Sequence, residues 1–220
     1  MKPAFIVAAG RVTGDMRLPP AREQAEARAR MMMSRSALLA SLALHTAVDQ
    51  AGWSPEIRAA AACFFGVGPS TGDLAALERL LAASASPEGF AIDRLGQRGL
   101  RAVSPLFTFQ LMHNFTLCHG SILEGIGGPN GAFFSRGAAT GHALAEALWA
   151  LHEGDATHAL AGGADAADYP VTAAELRRAG VPGRPAEGAA VLALATAPEG
   201  ARARVDAVRA WSVDPPALDR

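Results

Sequence analysis

Gly128 to Glu153 reads GPNGAFFSRGAATGHALAEALWALHE, and this stretch decides the fold. It opens on a glycine–proline turn. Ala132 to Ser135 then form a brief apolar run containing Phe133 and Phe134, long enough for a buried strand. Arg136-Gly137 makes a tight turn. From Ala138 the period becomes helical: Leu144, Leu148 and Leu151 recur at steps of four and three on one face, and Gly154 supplies a stop. A strand that turns sharply into a buried helix is where many enzymes place a nucleophile. The turn exposes the side chain, and the first N–H groups of the helix can meet a developing oxyanion. Here that position holds Gly137, which has no side chain. The stretch is the scaffold of a nucleophile site without the nucleophile.

Outward from this centre the chain alternates apolar runs with helical patterns. Ala4 to Ala9 reads as a first buried strand, followed by a polar, irregular Gly10 to Gln24. Arg30 to Gln50 is a helix rich in alanine and leucine, stopped by Gly52. Ala59 to Val67 is a second strand, whose turn leads into a helix with Leu74, Leu77 and Leu81 on one face. Ser84 to Arg101 is loop-like. Ser104-Pro105 is a helix start, with a capping hydroxyl and then proline at the first helical position. The helix runs from Pro105 to Glu124 and carries Phe107, Leu111, Phe115, Cys118 and Ile122 at steps of three and four. Thr157 to Ala161 is a further strand, and Asp168 to Pro185 an irregular excursion with a helical piece at Thr172 to Ala179. Gly188 to Ala197 and Ala203 to Val213 read as two strands joined by the turn Pro198-Glu199-Gly200. Strands interleaved with helices make an α/β layered domain, expected as one unit over 1–220.

Composition excludes several function classes. Of the 220 residues, 20 are Lys or Arg and 21 Asp or Glu, so no general attraction to nucleic acid or to an anionic membrane follows. Arg22, Arg28, Arg30 and Arg35 cluster early and read as a solvated helix face. No run reaches the length of a membrane helix, and Gly10-Arg11 ends the first apolar run too soon for a signal peptide. Cys63 and Cys118 sit in apolar surroundings and are expected as free thiols in a reducing compartment, which makes the expected location cytoplasmic.

Three constellations could carry chemistry. Gly68-Pro69-Ser70-Thr71-Gly72 fits the Gly-x-Ser-x-Gly elbow of hydrolases and lies between a strand and a helix, as that motif requires. A triad on that plan needs a histidine after an acid placed beyond a strand. No histidine follows Asp165 or Asp168, and His158, the last one, lies inside an expected strand. A glycine-rich turn closing a strand is the commoner reading, with a hydrolase or acyltransferase using Ser70 as the alternative. His113, Cys118 and His119 share one helix, but spacings of five, six and one do not put them on one face, so no metal site is expected. His142 and Glu146 stand four apart on the central helix and could pair structurally, and Trp149 on the same helix reads as core or interface.

Taken together, Ser104-Pro105-Leu106-Phe107, Asn114, His119-Gly120, Gly128-Pro129 and Gly162-Gly163-Ala164-Asp165-Ala166 resemble, in order and spacing, the amino-terminal half of a β-ketoacyl synthase of the thiolase-like fold. The resemblance runs through nearly the whole chain. It implies a thiolase-like half, a mixed five-stranded sheet with helices packed on both faces. Aligned without gaps from Gly128 through His142, the family's catalytic cysteine falls on Gly137. The chain is also expected to stop where the family's second half, with its two catalytic histidines, would begin. The implied relatives are chain-length factors, which likewise lack the cysteine. A subunit of this kind is expected to pair with a full-length β-ketoacyl-ACP synthase and to meet acyl carrier protein through that partner, with no cofactor of its own. The resemblance places Phe107 at the dimer interface, at the far end of the partner's acyl pocket. Leu111, Phe115, Phe133 and Phe134 are expected to join it as acyl-pocket and interface residues.

Overall fold

A computed structural model describes residues 3–68, 73–167 and 169–208. In chain order the elements are β1 (Ala4–Thr13), α1 (Gln24–Arg30), α2 (Arg35–Ala51), α3 (Pro55–Ala60), β2 (Ala62–Val67) and α4 (Leu74–Ala83). A small hairpin follows, β3 (Ala85–Ser86) with β4 (Gly89–Phe90), and then a turn, α5 (Ile92–Arg94), running into one π-helical turn. Next come α6 (Phe107–Gln110), α7 (Phe115–Glu124), β5 (Asn130–Phe133), a 3₁₀ turn over Arg136–Ala138 and α8 (Ala139–Glu153). The last elements are β6 (His158–Ala166), α9 (Pro170–Arg178), β7 (Glu187–Ala195) and β8 (Ala203–Val205).

The main sheet runs β5-β2-β6-β7-β1-β8. β2 is parallel to both β5 and β6, whereas β6–β7, β7–β1 and β1–β8 are antiparallel, so the sheet is mixed. Among the described residues it has six strands rather than the expected five. β8 does not form a hairpin with β7 across Pro198-Glu199-Gly200. Both edges of β7 are already occupied by β6 and β1, so β8 pairs with the free edge of β1, Ala4 opposite Val205. β2 is buried along its whole length, as a parallel strand covered on both faces must be.

Two apolar layers hold helices to the sheet. On one face α2 and α7 bring Leu39, Leu44 and Leu117 onto Ala8, Cys63, Phe65, Leu160 and Val191. On the other, α8 brings Ala143, Ala147, Leu148 and Leu151 onto Ala62, Phe64, Ala161 and Leu194. Alanine at the contact lets α8 lie close to the strands. The approach is closest at Gly66, where an added Cβ would stand 2.3 Å from the backbone nitrogen of Thr140. Gly10 does the same for α2, since a Cβ there would come within 1.9 Å of the Ala43 carbonyl oxygen. Ser34 and Ser54 cap α2 and α3, and Gly52, Gly125 and Gly154 end α2, α7 and α8 in the left-handed conformation.

Four local expectations are corrected. The helix expected over Pro105 to Glu124 is two helices, broken between Gln110 and Phe115. Its apolar residues serve different layers. Phe107 packs into a third cluster with Ala76, Leu80 and Val103, while Leu117 enters the main core, and one straight helix cannot reach both. Ile122, placed on the buried stripe, is 76% exposed, because the face turned to α2 is that of Gly120, where a Cβ would sit 3.1 Å from Ser41 Cα. In α4 the buried residues are Ala76 and Leu80 rather than Leu81. Ala59 and Ala60, placed at the start of the second strand, instead end the helix Pro55–Ala60, which Ser54 caps and Pro55 opens.

The early arginines are not a plain solvated face. Arg22 bridges Glu26 and Glu124, at 2.7 and 2.9 Å, and Arg30 holds the other oxygen of Glu26 at 2.6 Å. Arg35 pairs with Glu187 through its Nε at 2.9 Å. Glu26 and Glu124 are nearly sealed from solvent, and buried carboxylates require such partners. This network fastens the irregular segment before α2 onto α2 and α7.

Candidate functional site

β5 ends at Phe133, the chain turns through Arg136–Ala138, and α8 starts at Ala139 against β2 and β6. The strand, tight turn and helix expected from Gly128 to Glu153 are therefore present, but the strand is Asn130–Phe133 rather than Ala132 to Ser135 and is partly exposed rather than buried. Gly137 sits in the turn. Its φ is not in the left-handed region, and an added Cβ would meet nothing within 4 Å. Neither backbone conformation nor packing demands glycine here. A side chain could occupy the space, and none does.

That space opens into a cavity of about 820 Å³ at the carboxyl ends of the parallel strands β2 and β6. Gly66 and Gly68, Gly163 and Asp165, and Gly137 with Thr140 contribute from three elements, and Arg11 and Thr13 from β1. Glycine at 66 and 163 lets the backbone of α8 and the Thr140 hydroxyl come down onto the sheet. No side chain caps the amino terminus of α8. Among the described residues lining the cavity there is no Cys, His or Ser. Asp165 is the acid at its base. Burial pushes its carboxyl above the usual carboxylate range, with a backbone hydrogen bond from Ala166 working the other way. Its Oδ1 is enclosed and unpartnered among the described residues. Gly68 is shaped to this carboxyl, since a Cβ there would lie 2.2 Å from Oδ1.

The five expected pocket and interface residues divide by position. Phe107 is 3% exposed and Leu111 packs against the same third cluster. Phe115 forms an aromatic row with Phe109 and His119, ring centroids 5.4 and 5.3 Å apart. Phe133 and Phe134 point to opposite sides of β5, as strand alternation requires. Phe133 lies against Phe64, and Phe134 is 55% exposed with its ring on His113, 4.7 Å away. Among the described residues β5 is an edge strand of the sheet, and the exposed Phe134 follows directly after it.

The remaining candidates are dispersed. Pro69 to Gly72, with Ser70, and Asp168 lie outside the described residues. His158 begins β6 and its ring meets Trp53 edge-on at 5.2 Å. His113 and His119 contact different phenylalanines, and burial lowers the pKa of His119. Cys63 and Cys118 are free thiols, and burial pushes the Cys63 thiol up to about 12, far from a reactive thiolate. His142, expected beside Glu146, instead makes a hydrogen bond to Ser135 Oγ at 3.0 Å. Sequence reasoning missed this pair because it spans seven residues across a turn, a spacing that no helical or strand period marks.

Residues 7–196 match the family model described as the beta-ketoacyl synthase, N-terminal domain. No curated protein sequence matches the chain. Among solved structures, the chain resembles a type II polyketide synthase acyl-carrier protein in complex with its ketosynthase bound to the hexaketide, at TM-score 0.71 and 16% identity. That match covers 89% of this chain and 62% of the other. It also resembles the ishigamide ketosynthase/chain length factor, at TM-score 0.64 and 16% identity over 88% and 58% of the two chains. A beta-ketoacyl synthase from Burkholderia phymatum matches at TM-score 0.68 and 17% identity, over 89% and 59%. The chain therefore spans about three fifths of the length of these structures. At such identities the likeness is one of fold, and it agrees with the thiolase-like half expected from the motifs.

Proposed function

Because the chain belongs to the β-ketoacyl synthase family through its N-terminal domain, we propose that it is a non-catalytic, chain-length-factor-type subunit pairing with an active β-ketoacyl-ACP synthase. The partner would elongate an acyl chain on an acyl carrier protein by decarboxylative condensation, in a polyketide, aryl-polyene or fatty-acid-like pathway. The observation that carries this reading is Gly137: the turn, the helix start and the cavity are kept, and the nucleophile is not. Covalent condensation needs a thiolate to accept the acyl group and imidazoles to support decarboxylation. The described lining of this cavity offers neither.

Pairing is supported by the edge position of β5. An edge strand with an exposed apolar side chain invites a second chain, and Phe134 follows directly after β5. We place the interface there. Phe133, Phe134 and Phe115 would contribute by contact with the partner or its acyl pocket, and Phe107 with Leu111 by fixing the short helix α6 at the pocket's end. The test is co-expression with a full-length ketosynthase of the same organism. A 1:1 complex that condenses acyl and malonyl thioesters, beside an isolated chain that carries out no condensation, is expected. Condensation by the pure chain would overturn the reading.

A further inference from the structure

We propose that Ser135 and His142 form a nucleophile–base pair that accepts acyl groups from thioesters and hydrolyses them slowly, an activity separate from condensation.

Ser135 stands between the end of β5 and the turn that carries Gly137, and His142 lies in the second turn of α8. A serine at this point could cap the helix with its hydroxyl. The N-cap of α8 is Ala138 instead, and the Ser135 hydroxyl is directed to His142 Nδ1 at 3.0 Å. With Nδ1 unprotonated, the hydroxyl donates to it, which is the arrangement of a general base beside its nucleophile. The imidazole is held by its neighbour as well, since the Phe133 ring meets it edge-on, centroids 6.4 Å apart at 77°. Ser135 and His142 are both half-buried at the outer edge of the sheet, reachable without opening the core.

The substrate class follows from what surrounds the pair. Among the described residues no carboxylate is shown hydrogen-bonded to His142, so the imidazolium formed during attack lacks the stabilisation of a full triad. Amides, whose leaving amine must be protonated strongly, are poor substrates for such a pair. Thioesters and aryl esters carry leaving groups that depart with little assistance. In the acylation step Ser135 Oγ bonds to the thioester carbonyl carbon while its proton passes to His142 Nδ1. The C–S bond then breaks, and the thiol leaves with the proton from His142. Water, deprotonated by His142, releases the carboxylic acid and regenerates Ser135.

The test uses the full chain alone with an acyl-pantetheine thioester, so it does not depend on a ketosynthase partner. The expected result is one added acyl mass on the intact protein, mapped to the peptide containing Ser135, with slow release of free thiol. Ser135→Ala should abolish the adduct, and His142→Gln should slow acylation at least tenfold while leaving the melting temperature near that of the parent. An adduct mapped to any other residue, or no adduct on the folded wild-type chain, would overturn the proposal. Peptide mapping of the wild-type protein decides this even if a variant fails to fold.

Discussion

Two glycines of the site have opposite reasons for being glycine. At Gly66 the reason is packing, because a Cβ would collide with the backbone of α8. Gly66→Ala must push α8 off β2, and overpacking of this kind costs about 1–3 kcal/mol or more when the obstacle is backbone. Thermal unfolding should show a clear loss, and an unchanged melting temperature would mean that α8 does not seat as described. At Gly137 nothing in the fold requires the residue. Gly137→Cys should therefore fold normally, within about 0.5 kcal/mol of the parent. It should gain a thiol open to alkylation under native conditions and still catalyse no condensation, since the described cavity lining supplies no imidazole. Malonyl decarboxylation by that variant would contradict the assignment of the cavity as chemically empty. The sequence places Gly137 where the resemblance expects the nucleophile. That its place is open, and not closed by packing, was not legible, because clearance depends on residues far away in the chain.

Among the elements, the short helix α6 is the one most open to test. Phe107 is sealed in a cluster of its own with Ala76, Leu80 and Val103. Phe107→Ala should cost about 3 kcal/mol, the lower end for a buried phenylalanine, since the cluster lies near the surface. In a heterodimer that survives the change, the account expects longer carrier-bound products by mass spectrometry, because α6 would no longer close the end of the partner's pocket. Unchanged chain length in an intact complex would leave α6 a purely stabilising role. β2 and β7 were read from sequence with good placement because they are apolar runs that stop short of Gly68 and Pro198, whereas β6, expected to close at Gly162-Gly163, runs through both glycines to Ala166. The broken helix was not legible either. Phe107, Leu111, Phe115 and Ile122 keep one period across the break, and periodicity cannot tell a stripe facing one core from residues serving two. Ser135 with His142 escaped for a related reason, as contacts across a turn leave no repeat in the sequence.

For the whole molecule, the buried charges tie the first thirty residues to the core and give stability a definite pH dependence. Burial by itself would raise the Glu26 carboxyl, but hydrogen bonds from the Arg22 side chain and backbone and from Arg30 outweigh it and hold it at about 2. A carboxyl depressed in the folded state contributes fully above its ordinary value, 4.5, and its contribution is lost as pH falls through about 2. Glu26→Gln should therefore lose about 3 kcal/mol at neutral pH, the scale of breaking a buried pair, and the gap to wild type should narrow towards pH 2. A gap that stays constant with pH would mean that the pairing is not electrostatic. Among the described residues β5 is one of the two edge strands of the sheet, followed by the exposed Phe134. The measurement that tests the central claim most directly is sedimentation of the chain co-expressed with a full-length β-ketoacyl synthase of the same organism. The account predicts a stable 1:1 heterodimer that Phe134→Asp disrupts. A monodisperse monomer that never co-sediments with the ketosynthase would contradict it.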